Sequence, residues 1–218
     1  MTLTDFPFLI LASKSPRRRY LLKQAGVEFT VVPSSFDESA IPETSPDDFV
    51  RILAQAKARV VSEQHPHSWV IGADTIVVVD DTILGKPASK AEARSMLTTL
   101  SGRVHRVLTG FSLCRLAQNR HYAEVVSTDV RFKVLTPDEI EWYVHTSEPF
   151  DKAGAYAAQG LGAFMIKHIH GSYSNVVGLP VCEVVECLVR EGIVEFRPGV
   201  RGFEGLRMKN EGSKPVES

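Results

Sequence analysis

Apolar residues along the chain fall into short blocks separated by capped turns, and the spacing within each block says which element it builds. Residues 8–12, Phe-Leu-Ile-Leu-Ala, form a continuous apolar run of strand length. Ser15 followed by Pro16 marks a helix start, a hydroxyl cap ahead of a proline at the first helical position. Leu21, Leu22 and Ala25 give that helix a buried stripe, and Gly26 ends it. Residues 27–32 predict a second strand, so the chain opens as a β-α-β unit. A loop over 33–44 follows. Ser45-Pro46-Asp47-Asp48 caps the next helix, and Phe49, Ile52, Leu53, Ala56 and Val60 at helical spacing extend it over 46–63. His65-Pro66-His67 breaks it.

Residues 69–79 are the most apolar stretch and predict a central strand that turns at Asp80-Asp81 into a short return strand over 82–84. Ser89 and Glu92 have capping-box spacing ahead of a helix that runs to about Leu100 and stops at Ser101-Gly102. Residues 104–116 and 123–134 predict a hairpin around Gln118-Asn119-Arg120. In its second arm Val126, Thr128, Val130, Phe132 and Val134 share one face and Ser127, Asp129, Arg131 and Lys133 the other, so one side is wet. Thr136 and Glu139 form a further capping box for a helix to about Thr146. A loop over 147–162, a strand over 163–169, a loop over 171–178 and a helix from Pro180 with Val181, Val184, Val185 and Leu188 buried complete the pattern. From residue 198 the chain is rich in glycine and charge, which predicts one folded unit over 1–197 and a flexible tail over 198–218. Early alternation of strands and helices, followed by a hairpin, gives the α/β class with a mixed sheet.

Composition narrows the function. A chain of 218 residues that is 44% hydrophobic supports one domain with a substantial core, with room for two lobes. A net charge of -1 argues against a nucleic-acid or anionic-membrane partner bound through bulk charge, so any cationic site is local. Cys114, Cys182 and Cys187 are an odd set without a C-x-x-C pair, as in a reduced cytosolic protein. Residues 1–5 lack the basic start of a signal peptide, and no run approaches the roughly 18 apolar residues of a membrane span.

Local chemistry concentrates at a few places. Arg17, Arg18 and Arg19 sit in the first turn of the first helix, where exposed N–H groups carry about half a unit of positive charge. Cations there are repelled unless an anion lies between, which describes a phosphate cradle built from a strand, a serine turn and a helix N-terminus. The competing explanation is a solvated arginine patch. Asp74 interrupts the central apolar strand, so it is paired, protonated or bound to a cation; an Asp bonded to a nearby turn is the alternative. Asp37 or Glu38 would complete an oxygen-ligand site for Mg²⁺ with Asp74, against the plainer view of two solvated loop acids. Lys57, among small helix neighbours, and Lys86, in Gly85-Lys86-Pro87, are candidate phosphate contacts. Residues 151–160 combine a charge pair, small residues, Tyr156 and Gln159, suited to a flat ligand or to a Lys–Asp pair bracing a turn. His168 and His170 lack a third ligand, Ser172 lacks the glycine frame of a hydrolase nucleophile, and neither P-loop nor dinucleotide-binding glycines are present.

The segments at 11–18 (Leu-Ala-Ser-Lys-Ser-Pro-Arg-Arg), 72–75 (Gly-Ala-Asp-Thr), 85–87, 100–105, 146–156 and 171–180 occur in the order seen in the Maf family, and over residues 8–190 the chain resembles it. The resemblance implies nucleoside triphosphate pyrophosphatase activity and a two-lobed mixed α/β fold with flanking helices and a central cleft, similar to inosine triphosphatase. It also implies a divalent metal cation, Mg²⁺ or Mn²⁺, a cytoplasmic location and a homodimer, while the charge balance leads to the expectation of no nucleic-acid or membrane partner. By resemblance Asp74 is the catalytic acid, with Glu38 a second catalytic and metal contact. Arg17, Thr75 and Gln159 map to specificity positions, and Ser13, Arg18, Lys57 and Lys86 to phosphate handling. Gly-Ala-Asp-Thr and Gln159-Gly160 are similar to the branch acting on dTTP and UTP, and an amide offers donor and acceptor to a pyrimidine edge. Ala158, often larger in the family, widens the expected range to modified pyrimidine triphosphates. The alternatives are the 7-methyl-GTP branch, a nucleotide-binding regulator of septum formation, and a phosphomonoesterase.

Overall fold

Ser15, Ser45, Ser89 and Thr136 each accept the backbone N–H three residues on, so every hydroxyl-marked helix start is capped. At Thr136 the box is reciprocal, with Glu139 reaching back to the Thr136 N–H. At Ser89 it is not, since Glu92 accepts from Ala88 instead. The computed structural model describes residues 8–42, 44–196 and 206–208. The helices are α1 (Pro16–Gln24), α2 (Pro46–Gln64), α3 (Lys90–Leu100), α4 (Pro137–Val144), α5 (Tyr173–Val177) and α6 (Val181–Arg190). The strands are β1 (Leu9–Leu11), β2 (Thr30–Val31), β3 (Trp69–Val79), β4 (Thr82–Leu84), β5 (Val104–Arg115), β6 (Arg120–Phe132), β7 (Ile166–His170), β8 (Val194–Phe196) and β9 (Leu206–Met208).

β1 to β7 form one mixed sheet in the order β2-β1-β3-β5-β6-β7, with β4 also paired to β3. β1 runs parallel to β2 and β3, whereas the β3–β5, β5–β6 and β6–β7 pairs are antiparallel. One edge of β3 is paired to β5 over residues 70–78. Its other edge meets β1 at residues 69–71 and β4 only at 77–79. Residues 72–76 therefore have open backbone on that side, and the pocket described below lies there.

The two faces of the sheet bury different partners. Odd positions of β3 join two apolar clusters. Trp69, Ile71 and Ala73 pack with Leu21 and Leu22 of α1 and Val184 and Leu188 of α6, and Val77 and Val79 with Leu97 of α3 and Ile140 and Val144 of α4. Ala158 touches both. Even positions face α2, where Val70 meets Ala58 and Val61, and Ile76 and Val78 meet Val50. α2 approaches closely because Gly72 and Gly110 present no side chain. A Cβ on Gly72 would lie 2.6 Å from the Ala58 nitrogen, and one on Gly110 would lie 2.7 Å from the Val50 carbonyl carbon.

Some elements differ from the sequence reading. The loop expected over 171–178 contains α5, capped by Ser172. The strand expected at 163 begins at Ile166, since Leu161–Met165 is a 3-10 turn. The strand expected over 27–32 shrinks to Thr30–Val31. β6 ends at Phe132, leaving Val134 exposed. Within the expected tail, Leu206–Met208 pairs antiparallel with β8; the rest of 198–218, apart from those residues, lies outside the described residues. Among the described residues no helix is long and apolar enough to cross a membrane.

Candidate active site

Asp74 projects from the α2 face of β3 at the open stretch of its edge. Two residues earlier Gly72 lets α2 settle onto the strand, and this brings Lys57 within reach. Lys57 Nζ lies 2.5 Å from Asp74 Oδ1 and 2.7 Å from Glu38 Oε1. The Lys57 and Asp74 side chains are each only 12% exposed, whereas Glu38, on a 3-10 turn at Glu38–Ala40, is half open to solvent. The buried carboxylate in the apolar strand is thus paired. Burial opposes ionisation of Glu38, but the Lys57 hydrogen bond and charge outweigh it, with Lys86 and Arg18 adding, and hold its pKa below the ordinary carboxylate value. Asp37 takes a different part: its carboxylate accepts from the Ser39 N–H and hydroxyl, capping the 3-10 turn, and it does not line the pocket.

The arginines at the start of α1 separate. Arg18 turns inward across the open edge of β3. Its Nε donates to the Gly178 carbonyl (2.8 Å), Nη1 to the Ala73 carbonyl (2.8 Å) and Ser13 Oγ (3.3 Å), and Nη2 to Thr75 Oγ1 (3.1 Å). Burial lowers its pKa, though the Asp74 charge opposes the fall. Most of its donors are therefore committed to protein atoms, so Arg18 braces the pocket as well as charging it. Arg17 crosses the mouth of the pocket to Asp151, with Nη1 2.9 Å from Oδ2. Arg19 is exposed and outside the pocket, so the expected three-arginine cradle reduces to two.

The opposite wall comes from residues 151–159, which leave two short 3-10 turns (Pro149–Asp151 and Ala153–Ala155) for an irregular stretch that reaches Gln159. Lys152 donates to the Asp151 carboxylate and, at 2.8 Å, to the Glu148 carbonyl, so the Lys–Asp pair does brace a turn. Burial opposes ionisation of Asp151, but Lys152 and Arg17 outweigh it and lower its pKa. Behind this wall His105 Nε2 lies 2.8 Å from the Tyr156 hydroxyl, and burial pushes the imidazole pKa down to about 4. The half-buried side chain of Gln159 lines the pocket and makes no hydrogen bond among the described residues.

The resulting cavity, about 430 Å³, is lined by Ser13, Arg17, Arg18, Glu38, Lys57, Asp74, Thr75, Lys86 and Gln159 among others. The nine residues that the family resemblance assigned to catalysis or substrate binding thus line one cavity of nucleotide size, whereas Asp37 and Arg19 do not. Lys14 and Asp151 also line it; Lys14 was given no role by the sequence, and Asp151 only that of one half of the charge pair at 151–152. The contact of Asp151 with Arg17, 134 positions away in sequence, has no trace in local pattern. His168 and His170 are exposed on β7, outside this site.

Asp74 and Glu38 each place a carboxylate oxygen against the Lys57 ammonium, so the two acids stand close enough to share one cation, here that ammonium. No group of three or more His, Cys, Asp or Glu residues is disposed around a common point among the described residues. A pair of carboxylates completed by substrate phosphates is the donor set that Mg²⁺ commonly uses, so the residues present fit such an ion.

A family model described as Maf-like protein matches residues 8–191. The chain is similar to proteins named dTTP/UTP pyrophosphatase. That of Syntrophus aciditrophicus (strain SB) is 50% identical over 188 residues, 86% of this chain and 92% of the relative. That of Symbiobacterium thermophilum is 51% identical over 191 residues, covering 88% and 97%. That of Halalkalibacterium halodurans is 51% identical over 184 residues, covering 84% and 96%.

Proposed function

The chain belongs to the Maf family, and from that premise we propose that it hydrolyses dTTP and UTP, and related modified pyrimidine triphosphates, to the nucleoside monophosphate and pyrophosphate. The observation that carries this reading is the pairing of Asp74 and Glu38 across Lys57, in a pocket that also holds Arg17, Arg18 and Lys86. A site for a neutral ligand has no use for so many cations. A site that only binds a polyanion has no use for carboxylates beside it. The curated relatives carry the name dTTP/UTP pyrophosphatase, which favours this branch over the 7-methyl-GTP one.

Asp74 orients the attacking water and takes its proton as the new P–O bond forms at the α-phosphorus and the bond to pyrophosphate breaks. Asp74 and Glu38 would hold Mg²⁺ or Mn²⁺, which supplies Lewis acidity toward the phosphate oxygens. Arg17, Lys57 and Lys86 neutralise triphosphate charge, and Arg18 and Ser13 fix the floor against which it lies. Thr75 and Gln159 discriminate the base, the free amide of Gln159 offering a donor and an acceptor to a uracil or thymine edge. A homodimer in the cytoplasm, acting without nucleic-acid or membrane partners, belongs to the same proposal, and sedimentation of the full chain tests its oligomeric part.

The direct test incubates the protein with dTTP, UTP, CTP and 7-methyl-GTP and quantifies pyrophosphate against orthophosphate. Stoichiometric pyrophosphate with dTTP and UTP preferred is expected. Release of orthophosphate alone would make the protein a phosphomonoesterase. Excess EDTA is expected to abolish turnover, and activity that survives it would remove the metal.

A further inference from the structure

Gln159 lies on a segment held in place by a carboxylate that does not line the pocket. Glu148 accepts the backbone N–H of Leu161 at 3.0 Å, that of Gly162 at 2.8 Å and the Tyr143 hydroxyl at 2.7 Å. Tyr143 is fully buried, so the α4 core fixes its position, and its oxygen accepts the Ala157 N–H at 3.2 Å. The backbone is thereby pinned two residues before Gln159 and two residues after it. Gly160 sits at φ +111°, and a Cβ there would lie 3.1 Å from Glu148 Cδ, so the loop wraps the carboxylate only with glycine at this position. These bonds serve three backbone N–H groups and one hydroxyl, and none involves the Gln159 side chain.

We propose that Glu148, acting through Tyr143 and the backbone of residues 157–162, is a positioning residue for base discrimination: it sets where the Gln159 amide stands and so governs which nucleobase is accepted without touching the nucleotide. The inference rests on the reading that Gln159 contacts the base. Recognition by a fixed amide requires placement to within about half an ångström, and rigid support of the contacting group supplies it. Glu148→Gln keeps size and shape but replaces one acceptor oxygen with an amide that faces a donor.

The test measures kcat and KM for dTTP and dATP with the full chain and the variants Glu148→Gln, Tyr143→Phe, Gln159→Ala and Glu148→Gln/Gln159→Ala. Glu148→Gln is expected to lower the dTTP-to-dATP ratio of kcat/KM roughly tenfold, the worth of one misplaced hydrogen bond, chiefly through KM for dTTP. Tyr143→Phe should shift the ratio the same way by less, and it carries the comparison if Glu148→Gln does not fold. In the Gln159→Ala background Glu148→Gln should change the ratio no further, as coupled residues require. Equal loss on both nucleotides, or an undiminished effect in that background, would overturn the positioning role while leaving base reading by Gln159 intact. An unchanged ratio in Gln159→Ala would overturn both.

Discussion

Asp74 is the residue whose environment most constrains its chemistry. On its face of β3 it is flanked by Gly72 and Ile76, its partner Lys57 is itself largely buried, and the open stretch of strand edge gives it access to the cavity. Asp74→Asn preserves shape and leaves Lys57 paired with Glu38, so the fold and nucleotide binding should survive. Turnover should fall by about 10²–10⁴-fold, the usual worth of a positioned proton acceptor. A stopped-assay kcat within threefold of the parent would exclude Asp74 from proton transfer. Arg18 makes a contrasting prediction, because its guanidinium bonds two carbonyls and two hydroxyls. Arg18→Lys keeps the charge but cannot reproduce the planar fork. It should lower unfolding free energy by about 2–4 kcal/mol as well as activity, which chemical denaturation would detect. The sequence nominated both residues and their partners Lys57, Ser13 and Thr75, but not which pairs with which. Residue type and local spacing left Asp74 paired, protonated, bound to a cation or bonded to a turn, whereas its pairing with Lys57 depends on how α2 lies over β3.

Elements were legible where their pattern was long and their ends were capped. β3 spans the predicted 69–79, and α2 and α3 follow their hydroxyl caps and apolar stripes. α5 was not legible, since a helix of 5 residues cannot show a 3.6-residue period, and its anchor is a polar side chain. Asn175 Nδ2 donates to the Val107 and Val126 carbonyls and to Thr128 Oγ1, contacts that exist only once β5 and β6 are paired. β7 was displaced because the turn at Leu161–Met165 is shaped by Glu148, an acid 13 positions before Leu161 in the same connection. The close seat of α2 on the sheet gives an element-scale prediction. Gly72→Ala would drive a methyl into the α2 backbone, which a flexible side chain cannot relieve. The variant should lose about 1–3 kcal/mol of stability, and Lys57 should withdraw from Asp74. A thermal melt unchanged to within a degree would show that α2 can move away at no cost.

At the scale of the molecule, stability should fall in mild acid for a reason that lies behind the pocket. His105 is buried against Tyr156 and Phe132, and burial depresses its pKa to about 4 from an ordinary 6.5. Above about pH 6.5 neither state carries the proton, and the full stability is present. Between there and about pH 4 the unfolded chain binds a proton that the folded one refuses, so stability declines as pH falls. The loss approaches about 3 kcal/mol from this group. Urea unfolding at steps from pH 7 to 4 should show it, and His105→Gln should flatten that slope. Equal slopes in the two proteins would mean that His105 is protonated in the fold. Glu38 adds a separate loss lower down, because its folded-state pKa lies below the ordinary carboxylate value.

The cavity draws its lining from residues 12–18, 34, 36, 38, 57, 74, 75, 77, 86, 107, 151–153, 156–159 and 176–178. Such dispersal makes recognition a property of the complete tertiary structure, so no excised piece should retain affinity for a nucleotide. A ligand bound to the native state at a hundred times its Kd would shift the unfolding equilibrium by about 2.7 kcal/mol. That shift should register in one concerted transition, with amide protons on the β3–β5 ladder and on α1 slowing together. Occupancy of a small hollow would thus be felt as far as the sheet extends.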